Sequence, residues 1–271
     1  MHLGIVVRNM GLQSTRETVA ACARAAEAAG LDDAWVVDHV AIPPDDAEGS
    51  GGRYLDPLTT LAFLAGVTSR IGLGTAVLIL PYRPALPTAK TIATLQELSG
   101  GRLRLGAGVG WMEPEFRALG VPRARRGAIA DETLAFLRRC FDGAGPDDVV
   151  EANGQPFLFR PRPKAPPIYV GGAPPHALAR AVRFGDGWMP MAASPEKLRA
   201  PIAELQRLAA EAKRGPLEVV AMSRLPLEEP GRARDDLATL SELGVTRFVH
   251  AERYDDASSF ARSAERLAAL R

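Results

Sequence analysis

The sequence is short of the features that build metal sites, disulfide frames and membrane anchors. It holds two cysteines among 271 residues, Cys22 and Cys140, far apart and each in a stretch that reads as helix. Thiols placed this way act as small buried hydrophobes in a reducing compartment, not as a bridge or a metal pair. The four histidines, His2, His39, His176 and His250, never fall at metal-ligand spacing, so no metal site is expected. Net charge is +1 and no stretch is strongly basic or acidic, which argues against nucleic acid or an acidic membrane as partner. Ser69 and Arg70 interrupt the longest apolar candidate well short of the roughly 20 residues a membrane span needs. The opening Met1-His2-Leu3-Gly4-Ile5-Val6-Val7 has neither the basic region nor the long apolar core of a secretion signal. A soluble cytoplasmic protein is expected. Neither a G-x-S-x-G elbow nor a G-x-x-x-x-G-K-[ST] phosphate loop occurs.

What the chain does have is apolar content, at 46%, organised in a βα rhythm. Short β-branched runs alternate with Ala- and Leu-rich amphipathic stretches, which implies a parallel sheet. Strands are predicted near Leu3–Val7, Ala34–Val37, Ile71–Leu78, Leu103–Ala107, Ile168–Val170, Gly187–Pro190, Glu218–Met222 and Arg247–His250. Helices are predicted over Thr15–Ala29, Pro57–Thr68, Pro84–Leu98, Ile129–Phe141, Pro174–Phe184, Pro195–Lys213, Arg232–Leu243 and Ser258–Leu270. Ser14 and Ser194 suit N-caps, and Gly30 and Gly244 suit helix stops. Eight strands close a barrel, and about 250 residues is the usual size of an α/β barrel. The expectation is an α/β fold: one (β/α)8 TIM barrel forming a single domain over residues 1–271. Two connections are longer than a barrel needs. Ala41 to Asp56 follows strand two on the active face and is a candidate lid or substrate loop. Gly143 to Pro167, with Gly145-Pro146 and Asn153-Gly154, is expected to carry a hairpin before strand five.

Barrel chemistry belongs at the carboxyl ends of the strands, and small residues gather there. Thr75-Ala76-Val77 ends strand three, Gly106-Ala107-Gly108-Val109-Gly110-Trp111 ends strand four, and Val170-Gly171-Gly172-Ala173-Pro174-Pro175 runs from strand five into a helix. The strand-four run fails the G-x-G-x-x-G dinucleotide pattern, because its third glycine would fall on Trp111; its glycines instead suit a planar ring lying against the strand. Amides of Gly171, Gly172 and Ala173 at a helix start suit a phosphate, and the alternative is a tight turn needing glycine for geometry alone. His39 follows Asp38 at the end of strand two. Its imidazole can pass a proton near neutral pH, with Asp38 or backbone fixing the tautomer; the alternative is a structural hydrogen bond. Trp188, Trp111 and Tyr54 are open to lining a pocket or to packing.

These strings, in order, resemble the bacterial-luciferase-like oxidoreductases. The match runs through Val37-Asp38-His39, Asp56-Pro57-Leu58-Thr59-Thr60-Leu61, Thr68-Ser69-Arg70-Ile71-Gly72-Leu73-Gly74-Thr75-Ala76-Val77 and Leu95-Gln96-Glu97-Leu98-Ser99-Gly100-Gly101-Arg102. It continues with Glu115-Phe116-Arg117-Ala118-Leu119-Gly120-Val121-Pro122, Val170-Gly171-Gly172 and Phe184-Gly185-Asp186-Gly187-Trp188. The resemblance implies a flavin-like ring at the carboxyl face, and within the family the chain looks most similar to the branch using the deazaflavin coenzyme F-420. It implies hydride transfer between that coenzyme and a small, fairly apolar organic molecule, with His39 catalytic. Cofactor contacts then fall to His39, Thr75, Ala76, Val77, Gly108, Val109, Gly110, Gly171, Gly172, Ala173 and Pro174. Alternatives are an FMN-dependent monooxygenase fed reduced flavin by a separate reductase, and a non-catalytic flavin-binding relative. The family's habit of forming homodimers carries over as an expectation. So does a cis peptide between Ala76 and Val77. Alcohol-oxidising deazaflavin enzymes typically show a tryptophan shortly after the strand-two histidine and a glutamate just after the strand-four glycines. Here Val40-Ala41-Ile42-Pro43 and Trp111 stand there, so the resemblance predicts no carboxylate partner and favours reduction of an alkene, imine or ketone.

Overall fold

Strands that are apolar on both faces, as here, are stable only when both faces are covered. A computed structural model, which describes residues 1–142, 148–191 and 194–271, meets that demand with a ring of strands inside a ring of helices. In chain order the strands are β1 (His2–Val6), β2 (Asp33–Val36), β3 (Gly72–Ile79), β4 (Leu103–Gly108), β5 (Val149–Ala152), β6 (Gln155–Leu158), β7 (Ile168–Gly171), β8 (Gly187–Met189), β9 (Glu218–Ser223) and β10 (Arg247–His250). Eight of them close in the order β1-β10-β9-β8-β7-β4-β3-β2, every pair parallel. The expected barrel forms, each predicted strand in place to within a residue or so.

The helices are α1 (Arg16–Ala28), α2 (Pro57–Val67), α3 (Ala85–Leu98), α4 (Glu113–Ala118), α5 (Arg126–Asp142), α6 (His176–Phe184), α7 (Pro195–Glu211), α8 (Pro230–Glu242) and α9 (Ala257–Ala268). The sequence reading lacks α4. Gly30 and Gly244 end α1 and α8 with φ of 83° and 98°, the left-handed backbone that glycine alone adopts without cost. Ser194 holds the N-cap position of α7 in extended backbone, without a side-chain bond. Ser14 does not cap α1. Thr15 does so, accepting from the Thr18 amide, while buried Ser14 donates to the Gly11 carbonyl and accepts from Arg53 Nε.

The main core lies between strands and helices and includes both cysteines, which are buried free thiols. Burial pushes the Cys22 thiol up to about 11. Inside the barrel, Val6, Trp35, Tyr169, Met189, Val220 and Val249 pack together, with Arg247 paired to buried Asp33 beneath them. That plug fills the amino-terminal half, so ligand space is left at the carboxyl end. The β5–β6 hairpin forms with Asn153 and Gly154 at its turn; Gly145-Pro146 lies outside the described residues. Because the hairpin joins a helix to the next strand, it sits at the amino-terminal end, remote from that space. No helix among the described residues is long and apolar enough to cross a membrane, and no cluster of metal ligands occurs among them.

Candidate active site

A cavity of about 370 Å³ opens at the carboxyl ends of β3, β4, β7 and β8. It gathers His39, Ala76, Val77, Gly108, Val109, Gly110, Gly171 and Gly172 from the predicted set, and Tyr54 and Trp111 from the open aromatics. Thr75, Ala173 and Pro174 do not line it. Thr75 is buried with its hydroxyl donating to the Gly106 carbonyl at 2.7 Å, so its work is to tie β3 to β4. Trp188 is packing, its indole donating to the Gly172 carbonyl.

One wall comes from β3. Its register against β4 slips between Thr75 and Leu78, and the peptide joining Ala76 to Val77 is cis, as expected. The glycines opposite are packed against this wall. A Cβ on Gly108 would lie 2.4 Å from Val77 Cγ2, and one on Gly171 2.9 Å from Val77 Cγ1. These glycines make room for the protein's own valine, which fills the space above them, and backbone forms much of the wall. At the turn into α6, the Gly172 amide donates to the Met189 carbonyl at 3.2 Å, so it is not free for a phosphate. The amides of Ala173 and His176 make no hydrogen bond among the described residues.

His39 is held by a residue the sequence reading did not single out. Its Nδ1 lies 2.8 Å from Glu115 Oε2, and Tyr82 donates its hydroxyl to the same oxygen at 2.9 Å. The other carboxylate oxygen accepts the amides of Val40 and Ala41 at 2.6 and 3.0 Å. Glu115 is fully buried on α4. Burial works to raise its pKa, but the Ala41 and Val40 amides and His39 outweigh that and hold it below the ordinary carboxylate value. Tyr82 goes the other way, pushed up by burial and by Glu115. An ionised carboxylate only accepts, so Nδ1 carries the hydrogen and Nε2 is the nitrogen not held by Glu115, on a residue that lines the cavity. Tyr54 and Trp111 meet the imidazole edge-on, with ring centres 5.0 and 6.2 Å away.

Asp38, expected to fix the tautomer, does something else. It accepts both Arg83 terminal nitrogens, at 2.6 and 2.9 Å, and the Ile79 amide at 2.8 Å. Asp38 is thus engaged by Arg83 and Ile79, and His39 takes its partner from α4 instead. Arg83 also binds Asp56, the N-cap of α2, so the pair ties the end of β2 to the helix after the long loop. Asn9 does likewise at β1: buried, it bonds both backbone groups of Val37 and the Leu55 carbonyl. The expectation that no carboxylate partner exists is therefore overturned. Glu115 is present four residues beyond Trp111, but it is sequestered and acts on the cavity through His39.

The sequence model of the family described as luciferase-like monooxygenase matches residues 1–270. An uncharacterised protein of Mycobacterium tuberculosis is 33% identical, over 99% of this chain and 98% of its own. The 5,10-methylenetetrahydromethanopterin reductase of Methanolobus tindarius is 30% identical over 74% of this chain and 58% of that protein. An F-420-dependent hydroxymycolic acid dehydrogenase of Mycobacterium tuberculosis is 32% identical over 70% of this chain and 52% of its own. Among solved structures, monooxygenase RslO1 from Streptomyces bottropensis superposes with TM-score 0.82 at 20% identity, covering 99% and 98% of the two chains. An F-420-dependent secondary alcohol dehydrogenase bound to an F-420–acetone adduct gives 0.81 at 17% identity, covering 100% and 99%.

Proposed function

Because the chain belongs to the luciferase-like monooxygenase family, we propose that it is a deazaflavin-dependent oxidoreductase that couples hydride transfer to a proton handled by His39. The observation that carries this reading is the Glu115–His39 pair at the edge of a cavity walled mostly by glycine backbone and apolar side chains. Such a cavity fits a flat, largely apolar ring, and at about 370 Å³ it falls in the range of small-ligand sites. Val77, Gly108 and Gly171 would support the ring, and the unpaired amides of Ala173 and His176 at the α6 start would meet an anionic tail. When bound, the coenzyme supplies or accepts hydride at one ring carbon.

The chain's own part is the proton. Glu115 keeps Nδ1 protonated, so Nε2 gives a proton when the imidazole is charged and takes one when it is neutral. The same pair thus serves reduction of a carbonyl, imine or activated alkene and oxidation of an alcohol. Buried Asp38, paired with half-buried Arg83, and buried Asn9 fix the backbone leading into His39. Preorganisation of this kind keeps the ring in place without reorganisation at the moment of transfer.

Titration with the deazaflavin coenzyme and with FMN, followed by fluorescence, tests the reading. Tighter deazaflavin binding is expected. Tighter FMN binding with oxygen-dependent turnover would make the protein a flavin monooxygenase, and binding of neither would make it a non-catalytic relative.

A further inference from the structure

A second cavity, of about 610 Å³, adjoins the ring slot and shares Met10, Val37, Tyr54 and Met222 with it. It lies where β1, β9 and β10 end, across the barrel mouth from the glycine wall. Glu48, Gly49 and Ser50 of the long loop after β2 close its outer side. Its inner wall includes Arg8, which follows β1 and is only 7% exposed.

Arg8 is in an unusual position for a cation. Its Nε is buried without any hydrogen-bond partner, its guanidinium makes no hydrogen bond, and no carboxylate lies within 4 Å among the described residues. Of the two acids lining the cavity, Glu252 faces His250 at 3.4 Å and Arg224 at 3.8 Å, and Glu48 forms no ion pair among the described residues. Arg253 packs its guanidinium over Gly49. Three arginines thus share this cavity with two glutamates, and the most buried of the five has no counter-charge. Burying an unpaired charge is costly, and a sequence that keeps one at a cavity wall gains from what the cavity receives.

We propose that Arg8 is the anion-binding residue of a substrate subsite that takes an organic carboxylate. The molecule reacting in the adjoining slot therefore carries a carboxylate. Such a substrate pairs an apolar reacting part with a charged end. A planar carboxylate matches the guanidinium fork in geometry and supplies the missing charge, whereas a neutral amide supplies neither. The subsite stands on Arg8 alone; the statement about the reacting molecule rests on the oxidoreductase reading above.

Calorimetric titration of the ligand-free protein with trans-2-hexenoate and its neutral amide, trans-2-hexenamide, tests the subsite without any coenzyme. The acid is expected to bind about tenfold or more tightly than the amide, as a charge-assisted pair requires. Arg8→Gln should abolish that preference and Arg8→Lys keep part of it, with circular dichroism confirming both variants folded. In the unaltered protein the 15N resonance of Arg8 Nε should move on adding hexenoate, which needs no variant. Equal binding of acid and amide, an acid preference that survives Arg8→Gln, or an unmoved Arg8 resonance would overturn the proposal. So would an Arg8→Gln variant that loses affinity for the intact deazaflavin coenzyme but not for its tail-less riboside, since the anion would then belong to the coenzyme. Failure of the unaltered protein to bind any flavin sinks the redox reading instead, and leaves the acid-over-amide preference standing.

Discussion

Replacing Glu115 by Gln changes one atom type in a buried network and should be felt in stability, in tautomer and in turnover. The amide oxygen of Gln can still accept from Val40 and Ala41, while its NH2 turns toward His39 Nδ1 and the Tyr82 hydroxyl. Four hydrogen bonds lose their charge assistance, at about 0.5–1 kcal/mol apiece, so the variant should be about 2–4 kcal/mol less stable near pH 7. The pH dependence follows in sign. Glu115 has a folded pKa depressed below its ordinary value of 4.5, so its contribution is fully present above that value. It is lost as pH falls through the folded pKa, when the native carboxylate takes up its proton. Urea denaturation at stepped pH should therefore show a gap between wild type and variant that is constant near neutrality and closes in the acid range. The tautomer changes as well, because an NH2 group cannot accept from Nδ1–H. The 15N shifts of His39 should report Nδ1–H in the wild type and Nε2–H in the variant. A variant as stable as the wild type, with an unchanged His39 tautomer, would refute the orienting role of Glu115.

Two further outcomes bear on the site. Steady-state kinetics of His39→Asn should show turnover lower by about a hundredfold or more, as loss of a general acid–base group gives, with coenzyme affinity nearly unchanged. Gly108→Ala should cost about 1–3 kcal/mol of stability by overpacking against Val77, and Val77→Ala in the same chain should restore most of it in a double-mutant cycle.

The barrel was legible because its strands are buried on both faces and punctuated by glycine and proline, signals that survive without knowledge of neighbours. The proton apparatus was not. Glu115 meets His39 across 76 positions and Tyr82 across 33, and no local pattern announces such a meeting. A weaker sign did exist: Glu113, Pro114 and Glu115 form an acidic, proline-bearing first turn, the mark of a helix start, and α4 begins there. Asp38 is adjacent to His39 in sequence yet bonds Arg83, because adjacency along a chain does not make two side chains partners. The glycines do mark a close approach, and the approaching group is Val77. Arg8 gave no signal at all, since an arginine after a strand reads as ordinary surface until its burial is seen.

The seam of the barrel sets His2 beside Arg247, nearly the whole chain apart. Loop-closure entropy of that order is met late in folding, after the local βα units have formed. Both cavities straddle strands from distant parts of the chain, so neither exists in an open, partly folded ring. A molecule seated there counts only toward the closed state. Held at a hundred times its dissociation constant, such an occupant would add about 2.7 kcal/mol to closure. With such an occupant, the lifetime of the protein would follow the supply of what fills its mouth.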